Sequence, residues 1–133
     1  MFTHHTTVQL HQTDAAGILF FGRFFFLAHD AYQAYIESKG LGFAKILDQG
    51  LFLLPIVHAE ADYKAPLRVG DKVTVRLRAE TIGTTSFILA YELTKEDGAM
   101  AGTVKTVHVW VDRKTFEKQP LPEWVKGALG KIA

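Results

Sequence analysis

The residues best suited to chemistry are one aspartate and the helix start that follows it, in the stretch His11-Gln-Thr-Asp14-Ala-Ala-Gly17-Ile-Leu-Phe-Phe21-Gly22-Arg23. A carboxylate can attack a carbonyl carbon or take a proton from water. The first amides of a helix, here near Phe21 to Phe24, lack intrahelical acceptors and carry the positive end of the macrodipole. Such amides suit a carbonyl oxygen that gains negative charge, so the pair points to acyl transfer through an oxyanion. A second account makes Asp14 only the cap of the turn Asp14-Ala-Ala-Gly17, and the spacing alone leaves both open. Gly17 and Gly22 bracket Ile18 to Phe21 and give the backbone freedom to bend and to approach another group closely.

The element that must hold this loop is a helix expected from about Gly22 to Lys39. Phe24, Phe25, Leu27, Ala28, Ala31, Tyr32, Ala34, Tyr35 and Ile36 cover a broad arc, and Arg23, Asp30, Gln33 and Glu37 fall on a narrow stripe. A helix this apolar needs wrapping, and Gly40 suits its C-terminal stop. The wrapping is expected from strands. Thr6 to Gln12 alternates, with Val8 and Leu10 on one face. Leu51 to Tyr63 begins apolar and then alternates, and Pro55 within it argues for an edge position or a bulge. Lys72 to Glu80 turns Val73, Val75, Leu77 and Ala79 inward. Phe87 to Lys95 pairs back after the turn at Gly83 to Ser86, and Ala99 to Asp112 forms a long last strand. Short amphipathic helices are expected between Gly42 and Gly50 and around Trp124, Val125 and Leu129. Strand, helix, then strands joined by hairpin-length turns imply an α+β fold, with an antiparallel sheet curled around one long helix.

The composition narrows the partners. At 133 residues the chain is read as one domain, 1–133, without linker or repeat, and its net charge of +1 offers no basic field for nucleic acid or anionic membrane. The absence of cysteine removes disulfides, thiolate catalysis and thiolate metal sites. The start Met1-Phe-Thr-His-His5 lacks the basic and apolar segments of a signal peptide, and no apolar run reaches spanning length, so a cytoplasmic location is expected. His4, His5, His11 and His108 show no metal-ligand spacing, so no metal is expected.

Other candidates each have two accounts. His58, on the presumed edge strand, either hydrogen-bonds a bound ligand or is satisfied locally. Arg23 with His29 and Asp30 either orients the site or forms a surface ion-pair stripe. Lys105 and Arg78, near the Gly83 turn, either touch phosphates of a bound ligand or are plain surface. Gly70-Asp71 reads as a turn.

From about Val8 to Val111 the sequence resembles the hot-dog fold thioesterases of the 4-hydroxybenzoyl-CoA thioesterase type, most specifically in Thr13 to Phe21 and in Tyr63-Lys-Ala-Pro66-Leu-Arg-Val-Gly70-Asp71. Within that family, Leu54-Pro-Ile-Val-His58 and the His29-Asp30 pair are most similar to the 1,4-dihydroxy-2-naphthoyl-CoA hydrolases of phylloquinone and menaquinone synthesis. The resemblance implies that Asp14 attacks the thioester or activates water. It further implies that the Phe21 backbone amide polarises the carbonyl, and that two copies pair to form the site, with dimers joining into tetramers. Phe20 and Phe21 stand where many relatives have tyrosine, and Asp30 where many have glutamate; a backbone amide is spared by the first change, whereas the second shortens a side chain. Gly17, Phe20, Phe24 and His58 are the expected substrate-binding residues. Phe20, Phe21, Phe24 and Phe25 would supply either flat walls for a planar aryl group or ordinary core packing. No cofactor is expected, because coenzyme A is part of the substrate. The substrate alternatives are 4-hydroxybenzoyl-CoA and aliphatic acyl-CoA or acyl carrier protein thioesters. A non-catalytic acyl-CoA-binding protein is the alternative of another class. A dehydratase would need a paired histidine and acid aimed at a β-hydroxyacyl group, and no such loop motif is present.

Overall fold

The computed structural model describes residues 1–40, 50 and 52–133. Its central element is α1, Arg23–Ser38, which buries Phe24, Leu27, Ala28, Ala31, Tyr32 and Tyr35 along one face. The spacing follows the helical repeat, and each fully buried large side chain contributes ~1.5–3 kcal/mol. Gly40 ends the helix with φ +74°, its amide bonded to the Glu37 carbonyl at 3.0 Å.

A five-stranded antiparallel sheet wraps the helix. Its strands are β1 (Phe2–Thr7), β3 (Ile56–Tyr63), β4 (Lys72–Ile82), β5 (Ser86–Lys95) and β6 (Met100–Val109), in the order β1-β4-β5-β6-β3. Two short strands, β2 (Phe52–Leu53) and β7 (Val111–Asp112), form a separate pair, and α2 (Glu123–Gly130) follows. The sheet's inner face carries the alternation expected of β4 and β5: Val73, Val75, Leu77 and Ala79 pack with Phe87, Leu89, Tyr91 and Leu93, all buried. From β6, Val104, Thr106 and His108 join them. The helix and the sheet thus enclose one core, in the hot-dog arrangement that the resemblance implies.

Three boundaries differ from expectation. The first strand ends at Thr7 instead of continuing to Gln12, and Leu10–Gln12 is a 3-10 turn. There the Gln9 amide donates to Gln12 Oε1 at 2.8 Å, a local bond that competes with a sheet ladder. Pro55 splits the Leu51 to Tyr63 strand into β2 and β3, because its missing N–H cannot serve the ladder. The last strand breaks at Trp110, whose amide goes to the Thr85 carbonyl at 2.9 Å. The short helix expected between Gly42 and Gly50 lies almost wholly outside the described residues. No helix among the described residues is long and apolar enough to cross a membrane.

Candidate active site

Asp14 sits at the tip of a hairpin-like loop. Thr13 bridges Leu19 and Ile18 bridges Arg68, while the Leu19 amide donates to the Leu67 carbonyl at 2.7 Å and the Phe20 amide to the Gln12 carbonyl at 2.9 Å. The sheet turn at residues 67–71 therefore clamps the loop. Within it, the Asp14 amide donates to the Ile18 carbonyl at 2.9 Å and the Ala16 amide to Asp14 Oδ1 at 2.8 Å. Asp14 does cap its own turn. That role engages one carboxylate oxygen of an exposed side chain, and Oδ2 has no hydrogen-bond partner among the described residues.

The helix start is narrower as a donor than its sequence implies. The Arg23 amide donates to the Phe20 carbonyl at 2.8 Å and the Phe24 amide to the Phe21 carbonyl at 3.2 Å. The amides of Phe21 and Gly22 make no hydrogen bond to another described residue, so these two are available to an oxyanion. Gly22 caps the helix in ordinary helical geometry, φ −65°. Of the two glycines flanking the loop, it is Gly17, at φ +79°, that takes a conformation other residues avoid.

The four phenylalanines divide. Phe20 and Phe21 are 43% and 63% exposed beside the loop, their rings edge-to-face at 4.6 Å. Phe24 is 3% exposed and belongs to the core, and Phe25 packs against that core. Phe24 thus backs the site and offers no open wall, a correction to its expected role; the helical repeat turns it inward.

His58 lies exposed on the edge strand β3, as expected. Its register partner is Val107, whereas the next β3 position, Ala59, pairs with the buried Thr106. Paired residues share a face, so His58 projects from the side of the sheet opposite α1. Within one chain the fold does not bring it to Asp14. His29 and Asp30 are exposed on α1, and Arg23 stacks over Phe26 at 4.7 Å. Lys105 and Arg78 engage Glu80 at 3.0 and 3.5 Å. Asp71 closes its turn by accepting the Arg68 amide at 2.9 Å. The described residues contain no cluster of three His, Cys, Asp or Glu that could hold a metal.

One residue with a part in this geometry carried no assigned role in the sequence. The Tyr63 hydroxyl donates to the Phe21 carbonyl at 2.9 Å, tying the edge strand to the helix start. Its signals were its place as the aromatic residue closing an apolar edge strand and as the first residue of the Tyr63 to Asp71 stretch.

The family profile described as "Thioesterase-like superfamily" matches residues 8–129. A 1,4-dihydroxy-2-naphthoyl-CoA hydrolase of Synechococcus elongatus is 35% identical over 87% of this chain and 85% of its own length. The crystal structure of a 1,4-dihydroxy-2-naphthoyl-CoA thioesterase from Synechocystis is similar with a TM-score of 0.93 at 32% identity, covering 98% of this chain and 96% of that one. A gentisyl-coenzyme A thioesterase structure gives a TM-score of 0.84 at 28% identity, covering 93% and 98%.

Proposed function

Since the chain belongs to the thioesterase-like superfamily and is an acyl-CoA thioester hydrolase, we propose that its substrate is a hydroxylated planar aryl-CoA, 1,4-dihydroxy-2-naphthoyl-CoA first among them. The observation that carries the chemical part is the pairing of a carboxylate with a spare oxygen and a helix start with two unengaged amides on one clamped loop. The thioester carbonyl oxygen accepts from the Phe21 amide. Asp14 then works in one of two ways. As a nucleophile it attacks the carbonyl carbon, coenzyme A leaves as thiolate, and water hydrolyses the resulting anhydride. As a base it takes a proton from water, whose oxygen attacks the carbon, and the tetrahedral oxyanion collapses with loss of the same thiolate. A thiolate leaves without much help from an acid, so one carboxylate and an oriented amide suffice.

The aryl preference is supported by the exposed rings of Phe20 and Phe21, since stacking adds ~0.5–1.5 kcal/mol beyond area burial. The relatives named for naphthoyl and gentisyl thioesters act on hydroxylated aromatics, which supports the same class. In this role the reaction belongs to phylloquinone or menaquinone synthesis in the cytoplasm.

A dimer through the strand region from Leu53 to Tyr63, doubled to a tetramer, is part of the proposal. The edge strand exposes Ile56, Val57 and Tyr63 at 41%, 61% and 49%, apolar surface that a paired strand would cover. His58 reaches the substrate hydroxyls only from the partner subunit in this scheme. Catalytic efficiencies on 1,4-dihydroxy-2-naphthoyl-CoA, benzoyl-CoA and octanoyl-CoA, for the wild type and His58→Ala, test the reading. The dihydroxynaphthoyl substrate should lead, and the variant should lose discrimination for hydroxyls. A lead for octanoyl-CoA would overturn the aryl assignment. Light scattering that finds a stable monomer at micromolar concentration would remove the dimer.

A further inference from the structure

Tyr63 ends β3 with its side chain toward α1, as its register partner Gly102 requires. Its ring packs edge-to-face on Phe24 at 4.9 Å and on Phe21 at 6.5 Å. Phe24 is itself buried in the core, and it reaches that position because residue 102 has no side chain. A Cβ there would lie 2.8 Å from two Phe24 ring carbons and would collide with the Asp62 carbonyl. A strand register, a glycine and two rings therefore deliver the Tyr63 hydroxyl to the Phe21 carbonyl. That carbonyl already accepts the Phe24 amide at 3.2 Å, so the helix start has no need of the phenol for satisfaction.

The consequence falls on the oxyanion donor. The peptide plane that carries the Phe21 amide is held on its carbonyl side, where Phe20 accepts the Arg23 amide at 2.8 Å. The next plane, carrying the Phe21 carbonyl, is held by Tyr63 at 2.9 Å. With both planes fixed, the torsions at Phe21 are fixed and its N–H keeps one direction. We propose that Tyr63 is a positioning residue for thioester hydrolysis, acting through Phe21 to aim the oxyanion-binding amide and touching no reacting atom. The proposal rests on the reading that the Phe21 amide polarises the thioester carbonyl.

The test uses Tyr63→Phe, which keeps the ring against Phe24 and removes only the donor. In otherwise wild-type protein, kcat on an aryl-CoA should fall ~10-fold with KM changed less than ~2-fold, because a misaimed donor is felt in the transition state more than in binding. A second readout is the infrared carbonyl band of a carbonyl-13C benzoyl-CoA bound to Asp14→Asn protein, where the thioester persists. Binding should move the band to lower frequency, and adding Tyr63→Phe should return it toward the free value while the ligand stays bound. If the parent Asp14→Asn protein shows no displacement of the band, the Phe21 reading fails and the proposal falls with it. If the parent band is displaced and Tyr63→Phe leaves both the displacement and kcat intact, the positioning role alone is overturned. A loss of kcat with an unmoved band also overturns it.

Discussion

Two regions of this protein hold side chains that can change their charge, and they treat them in opposite ways. Asp14 lies exposed on a clamped loop, with one oxygen bound to the Ala16 amide and the other open. His108 is 1% exposed inside the core, stacked on Phe87 at 4.9 Å, with Nε2 on the Thr106 hydroxyl at 2.8 Å and the Tyr91 hydroxyl next in the chain at 3.3 Å. Its Nδ1 has no partner among the described residues. Burial lowers the His108 pKa to about 4, and the charge of His29 pushes the same way. By residue type a histidine is the better candidate for proton transfer, yet here the carboxylate meets solvent while the imidazole is held neutral. Environment, more than residue type, decides which group can act.

The strongest way to break this comparison is to replace each group without disturbing its shape. Asp14→Asn keeps an oxygen that can accept the Ala16 amide, so the turn should survive with melting temperature nearly unchanged. Thioester hydrolysis should fall ~10²–10⁴-fold, the span of general-base contributions. Near-normal turnover by folded protein would mean that the aspartate is only a cap. A single turnover in 18O water with rapid quenching separates the two mechanisms: label in the Asp14 carboxylate, or an acyl adduct trapped on Asp14, reports the anhydride, and label confined to the product with no trapped adduct reports base catalysis.

For the core, the sign follows from linkage. The folded pKa of His108 lies below its unfolded value near 6.5, so the unfolded chain binds the proton first as pH falls. The contribution is fully present above pH 6.5, is lost as pH falls toward 4, and amounts to about 3 kcal/mol. Denaturant melts at pH 7 and pH 4.5 should show most of that loss in the wild type. His108→Gln, which cannot titrate, should show the smaller pH dependence. Equal pH dependence in both chains would place the titration elsewhere.

Gly102→Ala attacks the joint between the two regions. The added methyl meets the Asp62 carbonyl and the Phe24 ring, and overpacking of this kind costs ~1–3 kcal/mol. The melt should drop accordingly, and kcat should fall beyond what Tyr63→Phe causes, because Phe24 and Tyr63 both shift. An unchanged melt would show that the Phe24 ring and the β3 backbone at Asp62 both give way without cost.

Much of the fold was legible because two periodicities dominate. The helix from Arg23 to Ser38 and the inward faces of β4 and β5 follow directly from residue spacing. The first strand was misplaced for a physical reason. Phe2–Thr7 owes its strand to the ladder with β4, a partner far along the chain, whereas Val8 and Leu10 alternate but are separated by a local turn. Leu10 ends up 75% exposed and Val8 1%. At the site, Asp14 and the Phe21 amide could be singled out by chemistry. The inward turn of Phe24 was present in the helical repeat, whereas the outward face of His58 and the bond from Tyr63 depend on register across strands, which no local pattern contains.

The smallest predicted effect separates the two glycines that flank the loop, which by sequence look equivalent. Gly17 stands at φ +79°, where a side chain meets its own backbone even though no other atom lies within 4 Å of an added Cβ. Gly17→Ala should therefore cost ~1–2 kcal/mol through backbone strain. It should also lower activity, since the turn it closes holds the Asp14 carboxylate. Gly22 has φ −65°, and an added Cβ would touch only the Phe20 ring at 3.5 Å, an ordinary contact. Alanine also loses less entropy than glycine on entering a helical conformation, so Gly22→Ala should leave the melt within ~0.5 kcal/mol of wild type or raise it slightly. Its kcat should stay close to wild type, because the new methyl leaves the Phe21 and Gly22 amides in place. Parallel melts and initial rates on the two variants decide the matter. A Gly22→Ala protein as damaged as Gly17→Ala would show that the helix start needs a bare backbone for close approach of the thioester, and the division between the two glycines would be lost.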